Sequence, residues 1–379
     1  MPSKPSCALV LTTIYPSDIL TGYYENFARH AHLDAVDVIV IGDRKTPAAV
    51  PQACEDLRAR GLRVRYWPVD EQDAYLAKLG APSRFIPYDS DNRRNIGYLL
   101  ALEAGADFLI GIDDDNFCLP EWDVFSEHGV VCRDDCDFDT VRTPSGWFNF
   151  CELLRLEPAV RVYPRGFPYR FRHLDEAAEY GRGRGSISIN AGLWLSEPDL
   201  DGMTWLTSPV RAASLAERDA LVLADGVWAP INSQNTALRR SAIPSYYFVK
   251  MGYKIEGAAI DRYGDIFSGY FALACARRMG HHVRVGSPAA FHRRNSHHYL
   301  RDATAEMGCI CMLEDLLPWL VEAKLDGATY SEAYLSLSHQ LEDAAERFQG
   351  YIWTEAARGF LHQTAHHMRQ WLACCSRVL

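Results

Sequence analysis

Phe108-Leu-Ile-Gly-Ile-Asp-Asp-Asp-Asn-Phe117 decides how the 379-residue chain reads, because an apolar run enters three consecutive carboxylates, Asp113, Asp114 and Asp115. The apolar residues, with β-branched Ile110 and Ile112, predict a buried strand of a parallel sheet, and open α/β sheets hold their ligands at the carboxyl ends of such strands. Side chains alternate along an extended chain, so Asp113 and Asp115 project to one side and Asp114 to another. Two carboxylates on one side suit a hard divalent cation, Mn or Mg, whose other positions go to water and phosphate oxygens. The plainer alternative is a solvated acidic turn or a helix cap. Against it, three adjacent carboxylates repel one another unless a cation neutralises them.

Upstream, strand and helix signals alternate at βαβ length. A strand over 7–11 ends in Thr12, Thr13, Ile14 and Tyr15, hydroxyl side chains that suit a nucleotide. A helix over 19–31, a strand over 36–41 closing on Gly42-Asp43, a helix over 53–60 and a strand over 63–67 follow. Asp43 falls at a strand end, where it can accept from a base or ribose or merely cap a turn. A further helix opens near Asp89, Ser90 or Asp91 and runs to 104, carrying Arg93 and Arg94 in its early turns. Cations at the positive end of a helix are misplaced unless they meet an anion, and a diphosphate beside the Asp113 cluster is the natural one. A salt bridge to Asp89 or Asp91 is the alternative for either arginine.

Downstream, the signals are less regular. The stretch 132–139 reads as a connection. Segments 146–150 and 162–172, aromatic and Arg-rich, read as strands and loops of a substrate half, able to hold a sugar or to fill a core. Gly181-Arg-Gly-Arg-Gly185 reads as a basic loop able to close over phosphates, without matching a known phosphate fingerprint. A strand covers 188–195, and Pro230–Ala237 reads as an uncharged acceptor-side surface. Asp265 sits at a helix start, where it stays ionised, as a general base toward a hydroxyl or as a simple cap. After a short strand at 283–286, His292 can complete an Asp113/Asp115/His292 metal set, with Arg293 and Arg294 beside it. From 301 onward the pattern is amphipathic helix without a chemical motif, suited to packing on the preceding domain or to self-association in a homo-oligomer.

Bulk properties narrow the partners. A 48% hydrophobic, 12% aromatic chain is globular, and a net charge of −10 without a basic block argues against nucleic acid or an anionic membrane as the main ligand. No window is long and apolar enough for a membrane span, and no secretory leader is read at the start. Eleven scattered cysteines without CxxC pairs fit reduced thiols in the cytoplasm.

Two families resemble this pattern. Val40-Ile-Gly-Asp-Arg-Lys-Thr-Pro47, Pro87-Tyr-Asp-Ser90, Arg93, Gly97-Tyr98 and the Asp run resemble the STELLO-type glycosyltransferases. The same Asp run, Asn190-Ala-Gly-Leu-Trp-Leu195, Pro198-Asp199, Arg262-Tyr263, Asp265, Gly269 and His292 resemble the plant reversibly glycosylated polypeptides, which are UDP-arabinopyranose mutases. The resemblance implies an α/β GT-A-like fold, a Rossmann-type mixed sheet flanked by helices, over 1–305, with a helical extension over 306–379. It implies Mn or Mg on Asp113, Asp115 and His292. A nucleotide sugar would lie against Thr12, Thr13, Tyr15, Asp43, Asp89, Arg93, Arg94, Asp113, Asp114 and Asn190. Arg172 would stand at the arginine that becomes glycosylated in the mutases. The mutase-like Arg-Tyr-Asp-Asp is here Arg262-Tyr-Gly-Asp265, and the surroundings of Arg172 differ. The expected activity is therefore sugar transfer from a nucleoside diphosphate donor, UDP first, to a hydroxyl or amine acceptor, ahead of a UDP-sugar mutase or a non-catalytic nucleotide-sugar-binding protein.

Overall fold

The computed structural model describes residues 4–16, 18–82, 84–255, 257–294 and 298–379. The first part runs β1 (Cys7–Thr12), α1 (Asp18–Arg29), β2 (Val36–Ile41), α2 (Ala49–Ala59), β3 (Arg63–Trp67), α3 (Val69–Lys78), α4 (Arg94–Glu103) and β4 (Phe108–Ile112). The middle part is β5 (Asn116–Cys118), α5 (Val124–His128), β6 (Cys136–Arg142), β7 (Leu154–Glu157), β8 (Glu179–Gly185), β9 (Ile187–Ser196), α6 (Gly202–Thr207), β10 (Arg211–Leu215), β11 (Ala220–Leu223) and β12 (Asn235–Arg239). The last part is β13 (Tyr253–Ile255), β14 (Ala258–Ile260), α7 (Gly264–Arg278), β15 (His282–His292), α8 (Tyr299–Glu322), α9 (Tyr330–Ala345) and α10 (Glu355–Cys375).

A mixed sheet flanked by helices forms the centre, in the order β3-β2-β1-β4-β12-β9-β15-β11-β6-β8. Its first four strands are all parallel. Strand β4 is wholly buried, as its apolar run predicts, and pairs with β1 on one side and antiparallel with β12 on the other. That reversal makes the carboxyl end of β4 a switch point, where a crevice opens between connections that leave in different directions. Gly111 lets the layer above come close, since a Cβ there would stand 2.7 Å from the Tyr98 hydroxyl of α4.

Several expectations change. The stretch 132–139 enters strand β6 rather than remaining a connection. Gly181–Gly185 is no loop over phosphates but part of β8, the outer strand beside β6. Its period of two has a packing cause: a Cβ at Gly183 would stand 2.5 Å from the Phe138 ring, while Arg182 and Arg184 point outward to Asp139 and to Asp135 and Asp137. Pro230–Ala237 is buried instead of forming an open surface, only Ser233 and Gln234 of it lining a cavity, while Trp147, Phe148, Phe150, Tyr163 and Phe167 fill the core, one of the two roles open to them. Strand β15 is much longer than 283–286, and α3 lies in a stretch whose pattern gave no prediction.

The three long C-terminal helices bury their apolar faces in the same core cluster as the sheet. Trp371 of α10 is fully buried, donates to the Pro244 carbonyl at 3.0 Å and packs on Tyr247. Among the described residues, no helix is long and apolar enough to cross a membrane.

Candidate active site

Two adjoining cavities open at the carboxyl end of β4. The larger, about 260 Å3, is lined by Thr12, Thr13, Tyr15, Asp43, Asp89, Arg93, Arg94, Asp113, Asp114 and Asp115, among others. The smaller, about 170 Å3, is lined by Asp91, Asp113, Asp115, Arg165, Asp199, Gln234, Phe248, Arg262, Asp265, His292 and Arg294, with Ser233. Asp91, Asp113 and Asp115 face both.

The three aspartates part as the alternation predicts. Asp114 turns back to accept from the Thr13 hydroxyl at 2.8 Å and the Ile14 amide at 3.3 Å, and burial pushes it up to about 6. Asp113 ion-pairs with buried Arg94, and its own burial, opposed by that arginine, leaves it above the usual carboxylate range. Asp115 meets His292, Oδ2 to Nε2 at 3.4 Å. Burial works to raise Asp115 too, but His292, together with the local backbone and Asn116, holds the carboxylate below its ordinary range. His292 Nδ1 lies 2.5 Å from the Glu197 carbonyl. Donating there fixes the ring with Nε2 toward the aspartates, the orientation that ligating histidines take from such a partner. Asp115 and His292 thus fit a cation by chemistry and aim. Asp113 is paired with Arg94, and among the described residues no three His, Cys, Asp or Glu side chains are placed together to hold one metal ion.

The two arginines of the α4 entrance both line the larger cavity, and each already has partners within the protein. Ser90 caps this entrance, accepting from the Asn92 amide. Arg94 spends its guanidinium on Asp113, on the Ser233 carbonyl at 3.0 Å and hydroxyl at 2.6 Å, and on Thr12 at 3.2 Å. Arg93 donates to Gln72 at 2.8 Å, lies 3.6 Å from Asp73 and sits under the Tyr88 ring. Asp89, at a positive φ of 52°, pairs with Arg44, and Asp43 accepts from the amides of Arg44 and Ser90.

Arg172 and Asn190 lie outside both linings. Arg172 stacks 3.6 Å over Tyr169 and pairs at 2.6 Å with Asp201, whose side chain is fully buried. Asn190 is locked in a core network, between His128 Nδ1 at 3.0 Å, the Ser287 carbonyl at 3.2 Å and Arg284 at 2.8 Å. The arginine of that segment which does reach the cleft is Arg165, absent from the sequence reading. It bridges Asp199 at 2.9 Å and Asp265 at 2.8 Å, all three buried. Both Asp265 oxygens receive Arg165, so Asp265 is a partner of that guanidinium before it is a free base. The sequence offers three arginines at 165, 170 and 172 and no local signal to choose among them.

The charged cleft lies where a parallel sheet half meets a mixed half, at the strand ends where α/β proteins of this class place their sites. The model of the reversibly glycosylated polypeptide family matches residues 27–378, and the chain belongs to that family. Among curated relatives, the probable UDP-arabinopyranose mutase 4 of Arabidopsis thaliana is 23% identical over 94% of this chain and 91% of its own length. UDP-arabinopyranose mutase 1 of the same plant is 25% identical over 72% of each chain. Among solved structures, S. aureus TarS in complex with UDP-GlcNAc superposes with a TM-score of 0.41 at 11% identity, covering 90% of this chain and 73% of that one, too loose a likeness to carry a functional argument.

Proposed function

We propose that the chain is an enzyme acting on a nucleoside diphosphate sugar, UDP-linked as in the names of its relatives, and that it breaks the bond between the anomeric carbon and the diphosphate. The observation that carries this is the pair of joined cavities sharing Asp91, Asp113 and Asp115. The larger takes the nucleotide against Thr12, Thr13, Tyr15 and Asp43, and the smaller takes the sugar. Asp115 and His292 would hold Mn or Mg, which when bound neutralises charge on the departing diphosphate. Arg165, kept rigid between Asp199 and Asp265, orients the sugar side, and Asp91 adds a carboxylate open to both cavities.

Return of the sugar to the same diphosphate in another ring form, a mutase reaction, is the favoured outcome. The smaller cavity is compact and charged, and of the expected acceptor stretch Pro230–Ala237 only Ser233 and Gln234 line it. Transfer to an acceptor is the second reading, supported by Gly264, which stands where the mutase pattern has an acid. Incubation with UDP-arabinopyranose and no acceptor decides between them: a UDP-arabinofuranose product supports the mutase. Tight UDP-sugar binding with no product unless an acceptor is added supports transfer, and absence of UDP binding removes both. The eleven unpaired thiols support a reducing, cytoplasmic setting.

A further inference from the structure

We infer that Arg294 is the guanidinium that grips the terminal phosphate of the nucleotide diphosphate, in the role that sequence position assigns to Arg93 and Arg94. The inference rests on the nucleotide-sugar reading above. A diphosphate leaving a sugar needs a positive partner that is not already neutralised, and an arginine fork meets phosphate oxygens two at a time. Arg94 is consumed by Asp113, Ser233 and Thr12, and Arg93 is turned to Gln72 and Asp73. Arg294 differs from both. It lines the smaller cavity with Asp113, Asp115 and His292 and forms no ion pair among the described residues, whereas Arg93 and Arg94 each have a carboxylate partner; its Nη1 is buried without a hydrogen-bond partner, as are Nη1 and Nη2 of Arg93 and Nε of Arg94. A buried donor without an acceptor is costly, and a ligand oxygen removes that cost.

Its placement is also built rather than incidental. The Glu197 carboxylate accepts from the Arg294 backbone amide at 3.0 Å while the Glu197 carbonyl fixes the His292 ring, so one residue just past β9 holds the Arg294 backbone and the His292 side chain in register. The intervening Arg293 lies against the Phe117 ring, 4.3 Å from its centre. The Arg294 guanidinium itself lies 5.3 Å from the ring centre of Trp205 and 5.7 Å from that of Tyr299, two rings stacked on each other. An aromatic floor limits the rotamers of the fork and leaves its edge for an anion.

Calorimetric titration of the full chain with UDP, UMP and uridine tests this. The wild type is expected to bind UDP more tightly than UMP, and Arg294→Ala to lose about ten- to a hundredfold in UDP affinity, as expected for a charged hydrogen bond, with UMP and uridine unchanged. Arg294→Lys should recover part of the loss. If Arg294→Ala melts below the assay temperature, Arg294→Gln, which keeps the stem over Trp205, serves instead. Equal UDP affinity in wild type and variant overturns this role alone. Failure of the wild type to bind any of the three overturns the nucleotide-sugar reading and this role with it.

Discussion

Asp115 and His292 face each other across 3.4 Å from strands that pair antiparallel, with Asn116 opposite His292 in the register. The pairing sets both donors at the smaller cavity, which shares Asp115 with the larger. Replacement of either by a non-ligating residue, Asp115→Asn or His292→Ala, is therefore expected to remove the effect of Mn on UDP affinity while leaving metal-free UDP binding within about a factor of two to three, since roughly 0.5 kcal/mol covers that range. Titrations with and without Mn check this. If Mn leaves the wild type's UDP affinity unchanged, no cation acts at this pair.

Arg165 and Arg172 separate function from support. Arg172→Ala strips the partner from fully buried Asp201, a change that costs about 3–5 kcal/mol in other buried pairs, and here the lower end is expected because Tyr169 and Thr204 also donate to Asp201. UDP affinity should survive. Arg165→Lys keeps the charge but cannot bridge Asp199 and Asp265 with one planar fork, so turnover of UDP-sugar should fall at least about tenfold, the effect of roughly 1.4 kcal/mol. Urea unfolding and product formation, measured on both variants, distinguish them. Unimpaired turnover in Arg165→Lys would remove Arg165 from the sugar side.

The strands at 36–41 and 63–67 and the buried run of β4 were legible because their apolar pattern is local. The separation of Asp113, Asp114 and Asp115 was legible too, since it follows from the period of an extended chain. What lay hidden depends on partners distant in sequence. The partners that hold Arg94 were hidden because nothing nearby reveals Ser233 behind it, 139 residues on. Pro230–Ala237 looked like a surface because its amides and hydroxyls carry no mark of being buried, yet Asn232 holds Asp199 at 2.8 Å and Asn235 holds His128 at 2.9 Å. The strand β8 could have been found: Gly-Arg-Gly-Arg-Gly alternates with period two, and the glycine face is the one that meets Phe138.

His128 gives a pH dependence with a definite sign. It is fully buried, with Nε2 at 2.9 Å from Asn235 Oδ1 and Nδ1 at 3.0 Å from the Asn190 amide, and burial lowers it to about 4. Arg284, close to the same network and half-paired with Glu127, adds to the penalty on a second proton. In the unfolded chain the ring titrates near its ordinary 6.5. Between those values the unfolded chain holds a proton that the folded chain does not, so this site's contribution is full above pH 6.5, declines as pH falls, and levels off below 4. The total loss is about 3 kcal/mol. Unfolding free energies of wild type and His128→Asn at pH 7, 5 and 4 check it. The variant should be less stable at pH 7 and should lose less on acidification, and parallel curves would refute the assignment.

Gly264 is the departure from the mutase-like pattern, and restoring an acid there is expected to fail. A Cβ on Gly264 would stand 2.3 Å from the Val249 carbonyl oxygen and 2.8 Å from the Phe248 ring. Neither can yield cheaply. The Phe248 carbonyl accepts from Asn92 and from Asn95 at 3.0 Å, tying this segment to the α4 entrance, and Phe248 itself lines the smaller cavity. Overpacking of this kind costs about 1–3 kcal/mol or more. Gly264→Asp should therefore melt earlier and bind UDP less well than wild type, because the backbone that yields is the one that places Arg93, Arg94 and the cavity wall. Thermal melts with and without UDP, together with an assay for UDP-arabinofuranose, read the result. A stable variant with faster ring contraction would show that the glycine, and not another part of the site, is what holds the mutase reaction back.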